Sequence, residues 1–130
     1  MTEDLRRLLL EVTNFDKLLS ELKTVRSLQG HEQGKALVAL RRRLPIQLAE
    51  IASIVRPLLE PHDIEGKNQF RCLHSSLLSK LALHQANWPA VRVVSFTDNG
   101  VDGYNRSSQM VDEAAAALVQ WMQCRYAGQE

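Results

Sequence analysis

Six side chains in this sequence are natural metal ligands or proton carriers: His31, His62, His74, His84, Cys72 and Cys124. A metal site needs several such groups converging within about 2 to 2.5 Å of one ion. Their spacing does not converge. His74 and His84 are separated by about 15 Å if they share a helix, and Cys72 and His74 point about 200° apart around it. No metal and no cofactor is therefore expected, and His74 and His84 read as core-edge histidines donating to a carbonyl or hydroxyl. The run Asp98, Asn99, Gly100, Val101, Asp102, Gly103 invites comparison with a calcium loop, which needs oxygen ligands at alternate positions, a glycine at the sixth and a bidentate Glu at the twelfth. Gly103 fits the sixth position, but Gly100 stands where an oxygen belongs and Gln109 replaces the Glu. The run reads as a pair of turns.

Nucleophilic chemistry fares no better. Ser75, Ser76, Ser107 and Ser108 form adjacent pairs with no nucleophile elbow or glycine-rich oxyanion turn beside them. No phosphate loop or dinucleotide fingerprint occurs, and Glu50, Asp112 and Glu113 belong to solvated helix faces. The chain is not expected to be an enzyme. The basic run Arg41, Arg42, Arg43 fans over about 200° of a helix, so it makes no flat phosphate-reading surface. It reads as a solvated turn before Pro45, with a weak patch for an acidic partner as the alternative. His74 is the best-placed histidine for phosphotransfer from a response-regulator domain. Such proteins usually carry Lys and Gly three and four residues on, where this chain has Leu77 and Leu78.

These residues must be positioned by a single domain, residues 1–130, because 130 residues leave room for one contiguous core. The composition, 45% hydrophobic and 24% charged with 6 glycines and 4 prolines, is that of a globular chain. A net charge of +1 gives no global field to concentrate it on nucleic acid or anionic lipid, so neither nucleic acid nor membrane is an expected partner. The leucine run Leu8–Leu10 is too short for a signal peptide or a span. Two cysteines without paired spacing point to a reducing compartment, hence a cytoplasmic location.

Apolar spacing predicts four helices. Leu5, Leu8, Val12, Phe15, Leu19 and Leu22 step by three and four after Thr2, Glu3 and Asp4, with Gly30 as terminator. Leu37, Leu40, Leu44, Leu48, Ile51, Val55 and Leu58 form a second stripe. Pro45 in its middle costs roughly 3 kcal/mol in a helix interior and predicts a kink or a restart there. Asp63 caps a third helix whose inward face is Phe70, Leu73, Leu77, Leu81, His84 and Trp88, ending before Pro89. Ala90–Gly103 reads as a long loop or a short helical turn. A fourth helix from about Tyr104 to Gly128 turns Val111, Ala114, Leu118, Trp121 and Met122 inward. The expected fold is all-α, an up-down-up-down four-helix bundle with its second helix kinked or broken near Pro45.

The order of features, above all Val55, Arg56, Pro57, Leu58, Leu59 and the Leu73, His74, Leu77 opening of the third helix, resembles the hemerythrin-like family. That resemblance implies a four-helix framework and would place metal ligands at Gln47, Ile51, His74 and Leu78. Three of these four are not ligands in this sequence, so the resemblance implies the bundle without the di-iron site. The sequence reading is thus a non-catalytic regulatory or partner-binding bundle, bacterial in style. A histidine phosphotransfer protein using His74, or a carrier of a metal or small ligand, are the alternatives. The candidate ligand- or partner-binding residues are His74, His84, Trp88, Phe96 and Tyr104, and the partner would be another protein or a second copy of the chain.

Overall fold

The structure, a computed structural model, describes residues 3–25, 30–89 and 98–126. Four helices account for nearly all of them: α1 (Glu3–Thr24), α2 (Gly30–Leu58), α3 (Ile64–Asn87) and α4 (Asp98–Tyr126), with no strand among the described residues. Helix α1 packs on α2, α3 packs on α4, and α1 also meets α4. Cross-links between neighbours give the directions. Going up α2, Arg43, Gln47 and Glu50 meet Glu21, Glu11 and Arg7, going down α1. Asp63, Gln69 and His84 on the α3 side meet Arg125, Trp121 and Ser107. Both pairs are antiparallel, and the short Leu59–Asp63 connection turns the chain between them. This is an all-α, up-down-up-down four-helix bundle.

The apolar stripes build the core. Leu8, Phe15 and Leu18 from α1, Leu48, Ile51 and Val55 from α2, Leu77 from α3, and Leu118 and Met122 from α4 are its most deeply buried large side chains. At roughly 1.5–3 kcal/mol for each large apolar side chain removed from water, this burial dominates the stability of the fold. The α1 stripe differs by one residue from its predicted course. Leu18 is buried while Leu19 and Leu22 lie at the core edge, so the helix turns its Leu18 side to the centre and leaves Leu19 and Leu22 facing a pocket described below.

Two boundaries depart from expectation, and at Pro45 the structure decides between the restart and the continuous helix, both of which the sequence leaves open. Gly30 opens α2 and does not close α1, which ends at Thr24. Helix α2 runs through Pro45 and is not broken into two. Pro45 deprives the Arg41 carbonyl of its usual N–H partner, but Leu37, Leu40 and Leu44 before it and Leu48, Ile51 and Val55 after it are all buried. Keeping that one stripe in register outweighs the local loss. Finally, Asp98–Gly103, read as turns, forms the opening of α4. A continuous helix there cannot fold back around a calcium ion, so the loop comparison fails on geometry.

The α2–α3 corner is held by Asp63. Its Oδ1 accepts from the Gly66 N–H at 2.9 Å as the cap of α3, and its Oδ2 pairs with Arg125 near the end of α4. Gly66 makes this possible: a Cβ there would lie 2.8 Å from Asp63 Cγ and 2.9 Å from Arg125 Nη2. Alanine is about 1 kcal/mol the better helix former, yet Gly66→Ala is expected to lower stability, because it pushes the carboxylate off both partners. Asp63→Ala alone should lose about 1 kcal/mol with the cap. With Asp63 already removed, Gly66→Ala should turn neutral or stabilising. Urea unfolding of the two single variants and the double measures this coupling, and strictly additive effects would refute it.

Candidate functional site

At the end of the bundle where α3 finishes and α4 begins, the 3.6-residue repeat brings Leu81, His84 and Gln85 of α3, with Trp88 capping its end, against Tyr104, Ser107, Ser108 and Val111 of α4. His84 is buried, and its Nδ1 shares a 2.6 Å hydrogen bond with Ser107 Oγ. Its Nε2 lies 3.5 Å from Ser108 Oγ. The His84 ring leans on Tyr104 with centroids 5.3 Å apart, and Trp88 meets the same tyrosine edge-on at 5.9 Å. Gly103 lets the indole this close, since a Cβ there would be 3.1 Å from Trp88 Cζ2. Of the sequence-predicted site residues, His84, Trp88 and Tyr104 are therefore neighbours. His74 stands apart, about 15 Å down α3, and Phe96 lies outside the described residues.

The polar surroundings of this cluster include residues the sequence reading did not select. Arg41, read as part of a solvated basic run, reaches inward from α2 and is half-buried. Burial lowers its proton affinity, and the Tyr104 hydroxyl, within hydrogen-bonding reach, works in the opposite direction. An arginine still stays charged. Arg43 instead pairs with Glu21 at 3.1 Å on the surface, and Arg42 is exposed, so the run does fan out as expected, with one member pointing inside.

Arg41, His84, Gln85, Tyr104, Ser108 and Asp112, together with Leu19 and Leu22, line a pocket of about 40 Å³ to which all four helices contribute. That is space for about three water-sized groups. Two donors in its walls, Arg41 Nη2 and Gln85 Nε2, are buried and have no hydrogen-bond partner within the protein. The signal available in the sequence for this pocket was the register between Arg41 and the α2 stripe: it follows Leu37 by four residues and precedes Leu44 by three, a spacing that sets it beside the core face.

The Ser107–His84 distance is that of a nucleophile and its base. Ser107 sits well inside α4, however, where backbone N–H groups are committed to the helix and none is free to hold an oxyanion. The pair is a part-buried hydrogen bond that sets the register of two helices.

The second cluster surrounds His74. Its ring stacks on Phe70 at 5.4 Å with 21° between planes, Phe70 meets Trp121 at 5.7 Å, and Arg125 lies over Trp121 at 5.4 Å. Trp121 Nε1 donates to Gln69 Oε1 at 2.9 Å, which fixes the indole. His74 Nε2 is buried without a partner. Burial, and then the positive charge of Arg56, lower the proton affinity of His74, with the Leu48 backbone acting weakly against them. Where the hemerythrin-like resemblance looks for other ligands, Gln47 donates to Glu11, Ile51 is part of the core and Leu78 is exposed. Among the described residues no three His, Cys, Asp or Glu side chains gather into a group able to hold a metal ion. Cys72 and Cys124 are free and exposed.

Protein-family models, curated proteins and solved structures give no significant match to the chain. Its chemistry must be judged on its own residues.

The depressed affinity of His74 fixes the sign of a pH effect. The folded state takes up this proton less readily than the unfolded state, whose histidine titrates near 6.5, so the contribution to stability is full above that value and is lost as pH falls below it. Urea unfolding of wild type and His74→Leu between about pH 8 and 5 should show the smaller acid loss in the variant. Arg56→Gln should raise the His74 titration midpoint, read from the imidazole resonances by NMR. An unchanged midpoint would show that Arg56 exerts no field there.

Proposed function

We propose that this protein is a non-catalytic binding bundle with a regulatory role, and that its small polar ligand enters the four-helix pocket between Arg41, His84, Gln85 and Tyr104. One observation carries the reading: two buried donors without partners, Arg41 Nη2 and Gln85 Nε2, belong to the walls of the same pocket. A buried polar group left unpaired costs about 1–3 kcal/mol, and more when it is charged. An acceptor-bearing ligand that draws these groups toward it by a side-chain torsion recovers that free energy, which a ligand without acceptors cannot do. The pocket size favours a ligand, or the head of one, of only a few heavy atoms.

The reading favours binding over transformation because no free backbone N–H stands beside Ser107 to hold an oxyanion, although the surroundings carry donors, a hydrogen-bonded histidine and the Asp112 carboxylate. It favours the pocket over phosphotransfer because a phosphoryl acceptor needs an accessible ring nitrogen, and His74 Nε2 is buried beside Phe70. The resemblance to hemerythrin-like proteins then extends to the helical framework alone. On this reading the protein works in the cytoplasm, and ligand occupancy is sensed by a protein partner at the α3–α4 end, where all four helices respond to the same site.

The test is an amide-NMR titration of the whole chain with acetate and, separately, with acetamide, at constant ionic strength. Saturable shifts centred on Arg41, His84, Gln85, Tyr104 and Ser108 are the expected result with at least one of them. Gln85→Leu should weaken that binding and, by removing an unpaired donor, raise the stability of the ligand-free protein by about 1 kcal/mol. Titrations in which neither compound saturates, joined to a Gln85→Leu variant less stable than wild type, would rule the reading out.

A further inference from the structure

The other end of the bundle carries a different kind of surface. Arg56 near the end of α2 and Lys67 and Arg71 in α3 line a cleft of about 300 Å³ with Asn68, His74 and Ser75, and no carboxylate among the described residues lines it. That volume is at the small end of small-molecule sites. In a chain of net charge +1, three cations sharing one cleft are a local concentration and not a reflection of bulk composition.

These cations also lack the carboxylate partners that three arginines elsewhere in the bundle have. Arg7, Arg43 and Arg125 each meet a carboxylate, on Glu50, Glu21 and Asp63. In the cleft, Lys67 Nζ donates to the Pro61 carbonyl at 3.0 Å and Arg71 Nη2 donates to Asn68 Oδ1 at 2.7 Å, both neutral acceptors. Arg56 has no hydrogen bond or ion pair among the described residues. The Arg71–Asn68 contact orients the guanidinium while leaving the Asn68 amide hydrogens for a ligand, and Ser75 supplies a hydroxyl. Donors thus come from two helices and from several directions, a pattern suited to a tetrahedral oxyanion more than to a flat carboxylate.

We infer that this cleft is a binding site for a phosphate group, taken either as the free ion or as the head of a small phosphate monoester, with Arg56 and Arg71 as the principal contacts and Lys67, Asn68 and Ser75 supporting them. The inference is independent of the ligand pocket at the opposite end. Its chemistry is neutralisation: two negative charges and several acceptor oxygens relieve the mutual repulsion of three unpaired cations. His74 forms the cleft wall. The charged groups around its stack are Arg56 from α2, Lys67 and Arg71 from α3, and Arg125 from α4, the last already paired with Asp63. A bound dianion cancels the field of Arg56 and so makes His74 easier to protonate. One anion in a cleft of this size does not make a nucleic-acid track, which needs a row of phosphate contacts.

Isothermal titration calorimetry of the full chain at constant ionic strength, using inorganic phosphate and glycerol 3-phosphate as probes and sodium acetate as control, tests this. A single saturable site for at least one phosphate probe is expected. Equal affinities identify the free ion as sufficient, and tighter binding of the ester identifies an organic ligand; both support the proposal. Arg56→Gln and Arg71→Gln should each weaken binding about tenfold, and the double variant should lose saturation. Both side chains are exposed, so circular dichroism and the unfolding midpoint should stay as in wild type. As a second readout, sulfate, which keeps both charges across the range, should raise the His74 titration midpoint in wild type and leave it unmoved in the double variant. No saturable phosphate binding, equal binding by the double variant, or acetate binding as tightly as phosphate would overturn the proposal.

Discussion

The register of α3 on α4 is fixed at both ends by contacts that leave no slack, and both candidate sites inherit their geometry from it. At one end Asp63 holds the α3 amide of Gly66 and the Arg125 guanidinium together, in a space that admits no Cβ on residue 66. At the other, Gly103 lies against the Trp88 indole and Ser107 bonds His84. A slip of one residue would shift the helices by about 1.5 Å and rotate the contact face by about 100°, breaking both sets at once. With that register set, Gln69 meets Trp121, Phe70 stacks on His74 and meets Trp121 at a tilt, and Tyr104 faces His84. The apolar middle supplies most of the stability, while these end contacts decide which of the possible helix alignments it stabilises.

The α1–α2 pair is held differently. Two of its cross-links, Arg7 with Glu50 and Arg43 with Glu21, are solvent-exposed and worth at most about 1 kcal/mol each, and the third, Gln47 with Glu11, is part-buried. Alignment there comes from the long shared stripe, and this is why α2 can carry Pro45 in its interior. The same stripe explains Arg41. Flanked by Leu37, Leu40 and Leu44, all buried, its backbone is held against the core and its half-buried side chain lies along the pocket wall. A half-buried guanidinium beside Tyr104 is the consequence of where the helix must lie.

Much of this architecture was legible in the sequence because it follows from apolar spacing: the four helices, the Asp63 cap, and the placing of Phe70, Leu77, Leu81 and His84 on one face. The parts that were not legible share a physical cause. Leu18 and Leu19 are chemically equivalent, and only the position of the other three helices selects which is buried. Gly30 can end a helix or begin one, and Asn and Gly at residues 99 and 100 suit a turn until the adjoining helix carries them into α4. The pocket was hidden for a further reason. A run of three arginines looks solvated as a unit, whereas a helix sends its members in different directions, so Arg41 had to be judged by its neighbours at three and four residues and not by the adjacent Arg42 and Arg43. His84, Trp88 and Tyr104 could be singled out one by one in the sequence, but their assembly depends on α4 beginning before Tyr104, which the turn-like composition concealed.

His74 and His84 show how one helix face can hold two histidines with opposite electrostatic standing. His84 has a hydroxyl at each ring nitrogen and an aromatic neighbour, so its ring is satisfied and held in place. His74 has a buried nitrogen without a partner and a guanidinium nearby, so any change in local charge alters its protonation balance. Between them lie about 15 Å of helix, longer than the screening length in physiological salt, which is about 8 Å. Leu77 and Leu81 occupy that interval as part of the core, and they offer no chain of polar groups along which a proton or a charge could pass. Direct electrostatic coupling over that distance is weak; a stronger link between the two ends travels as a shift of α3 against α4, and that is the very movement that Gly66, Asp63 and Arg125 at one end and Gly103 and Trp88 at the other resist.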